Sequence, residues 1–275
     1  MRSILVGLDD SEYSAAAVRL GIDWARKYDM LLVGLGIVDS SSLSEPEAVP
    51  LGATAFKVER DIQALETARR TVEQILERFS LQCTCERIAS KQLENEGDPV
   101  DQIVQEAQRV DLVLLGQRTN FDLEGAALAN EALPAVLKRC PRPIVAVPNS
   151  PVTGHSILVA YDGSVQSARA LQIFQSLGLA KDKTVHVLTV AADKVQAAKI
   201  ADRAAEYLRS HEIHAVVHAV ADRQPATVIL NHIKSLDAGL LVLGAYGQPT
   251  LKEFFFGSVT RTLLSQSPVP TLLYS

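Results

Sequence analysis

Short runs of apolar residues alternate along this chain with longer segments in which apolar residues recur every three or four positions. The strand-sized runs, most of them rich in Val, Ile and Leu, are residues 3–8, 30–38, 84–89, 112–115 and 144–147. The segments with helical periodicity are residues 11–27, 55–79, 99–109 and about 130–138. This alternation predicts a parallel sheet with right-handed crossovers and helices on both faces.

The same pattern occurs a second time. The segment Ile-Leu-Val-Gly-Leu-Asp-Asp-Ser at residues 4–11 recurs as Ile-Leu-Val-Ala-Tyr-Asp-Gly-Ser at residues 157–164. Residues 110–116 and 140–147 recur in the same order, as residues 237–244 and 267–274, and the second half has predicted strands at 184–191 and 214–220. A turn-rich joint at 148–154 separates the copies. We therefore predict two tandem α/β domains, residues 1–150 and 151–275.

A candidate phosphate loop lies near the end of the second half. Gly244 and Gly247 follow the predicted strand 240–243, and Gly257-Ser258 precedes a predicted helix at 259–265, which gives the spacing Gly-x2-Gly-x9-Gly-Ser. Glycine lets a ligand approach the backbone closely, and a helix N-terminus attracts an anion. Ser258 and Thr260 add hydroxyl donors. On the residues alone, an ordinary strand end, a turn and a helix cap explain this pattern about equally well.

A second candidate group stands at the end of the first strand of the same half. In Asp162-Gly163-Ser164, Ser164 is typical of a helix cap and Gly163 of a tight turn. Asp162 would then point into the crevice at the carboxyl end of the sheet and accept hydrogen bonds from a base or a ribose. The alternative is that Asp162 only caps the helix.

These motifs resemble the universal stress protein family, in a tandem arrangement that covers nearly the whole chain. The resemblance implies ATP binding, with adenine held by Asp162 and the backbone of Val190, and with Gly244 beside the ribose. The phosphates would contact Gly247, Gly257, Ser258, Val259 and Thr260. The complete candidate set for cofactor binding is Ala160, Tyr161, Asp162, Val190, Leu243, Gly244, Gly247, Gly257, Ser258, Val259 and Thr260.

The resemblance also implies the architecture of each half. We expect two open, Rossmann-like sheets of five parallel strands with helices on both faces. In the family, subunits pair through their last strands, and two fused domains could make that pair within one chain. Whether the whole chain also forms a homodimer is not decided by the sequence.

The first half lacks the phosphate motif. Gly116 is present, but Thr119 or Asn120 replaces the second glycine, and Ala129-Asn130 or Asn130-Glu131 replaces Gly-Ser. Residues 1–150 hold 16 basic and 23 acidic residues, a net charge of −7, whereas residues 151–275 hold 11 and 9, a net charge of +2. A polyanion is repelled less by the second half. We predict one nucleotide per chain, bound in the second half. The alternative is that the surface charges of the two halves diverged without any effect on function.

Other chemistry receives little support from the residues. All six histidines lie in the second half, which has no cysteine, so we expect no metal site. Cys83 and Cys85 are predicted to share one face of a strand. The net charge of −5 argues against a nucleic-acid partner. No membrane-span run or signal-peptide layout is present, which predicts a cytoplasmic protein without membrane contact.

Three functions therefore compete. The leading hypothesis is an ATP-dependent regulatory or stress-response switch that acts on a protein partner. No nucleophile motif, P-loop lysine or obvious Mg²⁺-carboxylate pair indicates a dedicated enzyme, so no catalytic residue is assigned. The alternatives are a slow ATP hydrolase, in which Mg²⁺ would accompany ATP, and a nucleotide-free scaffold that acts through dimerisation.

Overall fold

The computed structural model describes residues 1–40, 54–119, 121, 132–245 and 257–274. The chain divides into two compact units, Arg2–Pro141 and Arg142–Ser275, with Met1 grouped with the second. The elements of the first unit are β1 (Ser3–Leu8), α1 (Glu12–Tyr28), β2 (Leu31–Val38), α2 (Thr54–Cys85), β3 (Ser90–Glu96), α3 (Pro99–Ala107), β4 (Leu112–Gly116) and α4 (Ala132–Arg139). Its strands are all parallel and follow the order β3-β2-β1-β4.

The second unit repeats this plan and adds two strands. Its elements are β5 (Ile144–Val147), β6 (Ser156–Ala160), α5 (Val165–Leu177), β7 (Thr184–Ala191), α6 (Lys194–Ser210), β8 (Ala215–Ala221), α7 (Pro225–Ser235), β9 (Ala238–Gly244), α8 (Ser258–Gln266) and β10 (Thr271–Tyr274). The strand order is β8-β7-β6-β9-β10-β5. The predicted α/β architecture is confirmed, since strands alternate with helices and the pairing is mostly parallel.

An antiparallel pairing joins the last strands of the two repeats. β5, the last strand of the first repeat, lies in the second unit and runs antiparallel to β10, the last strand of the second repeat. Ala146 is opposite Thr271 and Ile144 is opposite Leu273. Both strands are almost entirely buried, so their main-chain groups must be paired. The last strands of the two repeats therefore pair within one chain.

The second helix and third strand correct our prediction for residues 84–89. α2 continues to Cys85, and β3 begins only at Ser90. The helix ends because Arg87 adopts a left-handed conformation (φ 57°), which lets the N–H of Ile88 donate to the carbonyl of Cys83 at 2.8 Å. Cys83 and Cys85 thus lie in the last turn of a helix, Cys83 buried and Cys85 exposed, and do not share a strand face.

The sheets are covered by amphipathic helices whose first turns are stabilised by side chains. The caps of α1, α3, α5 and α6 are Ser11, Asp98, Ser164 and Asp193, each accepting a hydrogen bond from a main-chain N–H. The central strands β4 and β6 are buried along their whole length. Within the described ranges, no helix combines the length and the apolar character needed to cross a membrane.

Candidate functional site

The carboxyl ends of β6 and β9 lie side by side at the point where the strand order reverses. Ala160, the last residue of β6, is in register with Leu243 of β9. From β6 the chain proceeds to β7 on one side, whereas from β9 it proceeds to β10 on the other. The two connections leave in opposite directions and open a crevice, which is where open α/β sheets bind ligands.

The loop after β6 holds Asp162 and the start of α5 in a fixed geometry. Gly163 has φ 79°, which a residue with a side chain adopts only with strain. Asp162 Oδ1 accepts a hydrogen bond from the N–H of Ser164 at 2.9 Å, and Ser164 Oγ accepts one from Ser167 at 3.1 Å. Asp162 is exposed, and Oδ2 makes no hydrogen bond within the described residues. Asp162 therefore supports the turn through one oxygen, while the other makes no hydrogen bond to the described residues.

The end of β7 supports the same loop. The N–H of Tyr161 donates to the carbonyl of Leu188 at 2.9 Å, and Thr189 Oγ1 donates to the carbonyl of Tyr161 at 2.7 Å. Thr189 is buried and precedes the half-buried Val190. Burial raises the pKa of the Tyr161 phenol, and the charge of Asp162 raises it further, so this ring is neutral at neutral pH. Sequence reasoning missed Thr189, because a threonine in a β-strand is already explained by strand propensity.

Gly244 is a glycine because α5 packs directly against it. A Cβ at this position would lie 2.4 Å from the main-chain nitrogen of Ser167 and 2.6 Å from the carbonyl carbon of Gln166. Both atoms are backbone, so they cannot rotate away. The end of β9 and the first turn of α5 therefore form one closely packed wall of the crevice, and Ala160, Tyr161, Asp162, Leu243 and Gly244 come together there.

The first turn of α8 forms a second group, which contains Gly257, Ser258, Val259 and Thr260. Because β9 and β10 are parallel, the connecting helix must run back along the sheet, and its N-terminus lies at the carboxyl edge of β9. Gly257 is the N-cap residue, and no side chain of the described residues caps this helix. Gly257 and Ser258 are exposed, Val259 is half-buried and Thr260 is buried. The first main-chain N–H groups of α8 are thus available to an anion.

Residues 246–256 connect these two groups and lie outside the described residues. Gly247, the second glycine of the motif, belongs to that segment. The structure thus brings together the strand-end residues of the candidate set, and it defines the helix terminus that follows. No described contact joins the two groups directly.

The first unit has a similar turn and a different crevice. Asp9 Oδ1 accepts a hydrogen bond from the N–H of Ser11 at 2.9 Å, as Asp162 does in the second unit. Asp10, which replaces the glycine, forms an ion pair with Arg78 of α2 at 2.5 Å. The ring of Phe121 is buried, and its Cζ lies 3.2 Å from the position of a Cβ on Gly7 of β1. The chain's own phenyl group therefore packs at the end of β1.

Three histidines form a cluster on the face of the second unit's sheet that α7 covers. His186 Nδ1 lies 3.0 Å from His218 Nε2, and the rings of His218 and His232 are 5.8 Å apart. His214 precedes β8 and is exposed, so it lies outside this cluster. Within the described part of the chain, no three or more His, Cys, Asp or Glu side chains are arranged to hold a metal ion.

This cluster predicts a pH-dependent stability. Burial lowers the pKa of His186, and burial together with the neighbouring histidines lowers the pKa of His218. Because the unfolded chain then binds protons first, the free energy of unfolding should be highest above the ordinary histidine pKa of about 6.5 and fall below it. We expect His186→Gln to reduce this fall, measured by urea unfolding between pH 7.5 and 5.5. The exposed His214→Gln should retain it, and equal pH dependence in both variants would contradict the prediction.

Comparison with known proteins identifies a family for both halves of the chain. A sequence model of the universal stress protein family matches residues 1–148 and again residues 154–275. The universal stress protein Slr1230 of Synechocystis sp. is 27% identical over 169 residues, which is 60% of this chain and 58% of that protein. The chain thus spans less than two thirds of that relative's length. The universal stress protein YxiE of Bacillus subtilis is 28% identical over 145 residues, which is 43% of this chain and 97% of YxiE.

Solved structures share the fold over the whole chain. A universal stress protein from Archaeoglobus fulgidus has a TM-score of 0.70 at 19% identity, covering 99% of this chain and 98% of that one. A putative universal stress protein from Pseudomonas aeruginosa has a TM-score of 0.59 at 17% identity, covering 100% and 93%. At these identities the likeness concerns the fold.

Proposed function

The chain belongs to the universal stress protein family, and on that premise we propose that its second domain, residues 151–275, binds one ATP as a nucleotide-dependent regulatory switch. The proposal is supported by the crevice between β6 and β9, by the loop that presents Asp162, and by the uncapped start of α8.

The observation that carries the proposal is the identity of residue 257. Its φ of −51° suits any residue, and the nearest described atom to a Cβ there is Thr260 Oγ1, at 3.9 Å. A Ser or Asp at this N-cap position would stabilise the helix relative to glycine. Among the described residues nothing requires a glycine here, whereas a bound anion would, because it needs the space and the N–H groups.

The residues that we assign to ATP divide between the two groups described above. Asp162 Oδ2 would accept a hydrogen bond from the adenine amino group, and the main chain at Val190 would contact the base. Gly244 would lie beside the ribose. The N–H groups and hydroxyls of Ser258 and Thr260, with Gly257 and Val259, would hold the phosphates, and Gly247 would complete the loop.

The first domain, residues 1–150, takes a structural or regulatory role in this proposal. Phe121 packs at the end of β1, and Asp10 brings a carboxylate to the position of Gly163. The net charge of −7 over residues 1–150 would also oppose a polyphosphate. One ATP per chain is therefore the expected stoichiometry.

A switch requires that ATP favours one conformation of residues 244–258 over another. We propose that a protein partner recognises the ATP-bound conformation, in the cytoplasm. Hydrogen exchange measured with and without ATP should then show slower exchange over this segment and over the first turn of α8. Equal exchange in both states would refute the switch and leave ATP as a static ligand.

The test of ATP binding is to count nucleotides in the purified protein. The protein is denatured, the supernatant is analysed by mass spectrometry, and the moles of nucleotide per chain are determined. We expect about one ATP per chain, lost in Gly257→Val and retained in Asn130→Val, which alters the matching position of the first repeat. The nucleotides are counted again after incubation with ATP and Mg²⁺, so that a site emptied during purification is still detected.

Other nucleotide counts would favour one of the alternative functions. Two nucleotides per chain would overturn the assignment of a single site. ADP in place of ATP would favour a slow hydrolase, and Mg²⁺-dependent turnover lost in Asp162→Ala would support it. A protein that neither contains nor takes up ATP would refute the proposed function and leave the scaffold.

A further inference from the structure

The outer edge of β8 carries main-chain groups that no described strand pairs. β8 is the terminal strand of the second unit and pairs on one side with β7. The N–H of Asp222, just beyond β8, donates to Ala191 of β7 at 2.9 Å. Because successive N–H groups of a strand point in opposite directions, those of Val216, His218 and Val220 also face β7. The main-chain groups of residues 215, 217, 219 and 221 therefore point away from the sheet.

β8 itself lacks the charged residues and prolines that usually prevent edge strands from pairing between molecules. β8 has the sequence Ala-Val-Val-His-Ala-Val-Ala, without a charged residue or a proline, and Val216 is 49% exposed. β3, at the corresponding edge of the first unit, has the sequence Ser-Lys-Gln-Leu-Glu-Asn-Glu, and its Glu96 forms an ion pair with Arg69. Charges on an edge strand block association. Only one of the two equivalent edges is protected in this way.

The sequence of β8 is also nearly symmetric about its centre. With His218 in the middle, Val216 matches Val220, Ala215 matches Ala221, and Val217 is opposite Ala219. In an antiparallel pair of two β8 strands centred on His218, outward-facing residues would meet outward-facing residues, 217 with 219 and 215 with 221. These pairs would exchange main-chain hydrogen bonds, while 216 and 220 would form the closer, non-hydrogen-bonded pairs.

We infer that β8 is a homodimer interface, in which β8 of a second copy pairs antiparallel across a twofold axis at His218. A second copy of this chain is favoured as the occupant for two reasons. The unpaired main-chain groups lie on the odd-numbered residues, which would meet one another in such a pair, and the strand is uncharged and nearly symmetric in sequence. A twofold contact requires a self-complementary surface, and this strand provides one. The inference does not depend on ATP binding.

The first test is the mass in solution of the full chain, by sedimentation equilibrium. The wild type should dissociate reversibly from a dimer of twice 29.8 kDa. Val216→Lys should raise the dimer dissociation constant at least tenfold, because each lysine would face Val220 of the second copy. The control Val195→Lys makes the same change at an exposed valine of α6 and should leave the constant unchanged. The inference would be overturned by a monomer at all concentrations, or by a dimer whose dissociation constant is unchanged in Val216→Lys.

A crosslinking test determines the register and does not depend on the lysine variant. In a background with the exposed Cys85 changed to Ser, His218→Cys should form an intermolecular disulfide under mild oxidation. Directly opposed residues of a non-hydrogen-bonded pair lie about 4.5 Å apart, within disulfide reach. Val220→Cys should not crosslink, since its counterpart would be several residues away. A Val220 crosslink, or none at residue 218, would overturn the interface.

Discussion

Gly257→Asp is expected to weaken ATP binding at least 100-fold without lowering the stability of the protein. Aspartate is among the best N-cap residues, and it should raise the free energy of unfolding by a few tenths of a kcal/mol relative to glycine. Gly257 has an ordinary φ, and no described atom lies closer than 3.9 Å to a Cβ there, so we expect the side chain to fit. The same carboxylate would occupy the N–H groups of α8 and repel the phosphates.

The size of this effect follows from the charge. Two like charges 4 Å apart repel by about 4 kcal/mol at an effective dielectric constant of 20, whereas a 100-fold loss of affinity corresponds to about 2.7 kcal/mol. Calorimetry gives the affinity, and urea unfolding gives the stability. The control Gly257→Ser adds a neutral cap and should lose much less affinity. Equal affinities for Gly257→Asp and the wild type would show that the phosphates bind elsewhere.

Gly244→Ala, in contrast, is expected to lower the free energy of unfolding by about 3 kcal/mol. The added methyl group would lie 2.4 Å from the main-chain nitrogen of Ser167, and relief requires β9 and α5 to separate. Overpacking of a well-packed site typically costs about 1–3 kcal/mol, and a clash with backbone belongs at the upper end. Urea unfolding without nucleotide measures the change.

Gly257→Ala is the matched control for this prediction. It makes the same chemical change in the same motif, at a position where a Cβ is accommodated, and should alter the stability by less than about 1 kcal/mol. If both alanine variants were equally stable, the contact between Gly244 and α5 would not constrain the fold. The pair therefore separates a glycine needed for packing from a glycine proposed to serve the ligand.

The buried strands of this fold and the apolar edge strand β8 were predictable from sequence, and the polar edge strand β3 was not. Strands such as β2 and β4 are continuous apolar runs, because both faces of a parallel sheet are covered, and their predicted bounds agree within one residue. β3 is an edge strand, largely exposed and polar, so no hydrophobic pattern marks it. The apolar residues near 84–89 instead belong to the end of α2 and the turn that follows.

The candidate site shows a similar division. Motif spacing and comparison of the two repeats selected Asp162, Gly244 and Gly257 as candidates. Glycine spacing and an acidic residue after a strand can be recognised in the sequence itself. The hydroxyl of Thr189 on the carbonyl of Tyr161 and the backbone of α5 against Gly244 depend on packing between distant segments. No local pattern encodes such contacts. The cluster of His186, His218 and His232 was missed for the same reason, since three separate elements contribute one ring each.

The antiparallel pair of β5 and β10 has an evolutionary consequence. In a symmetric dimer of identical single-repeat chains, a substitution that removes a ligand site removes it from both subunits. Covalent linkage gives the two last strands a high effective concentration for each other, so that their association no longer requires identical partners. Duplication within one gene thus freed the repeats to diverge. One copy could exchange its glycines for Thr, Asn and acidic residues while its last strand continued to complete the sheet of the other.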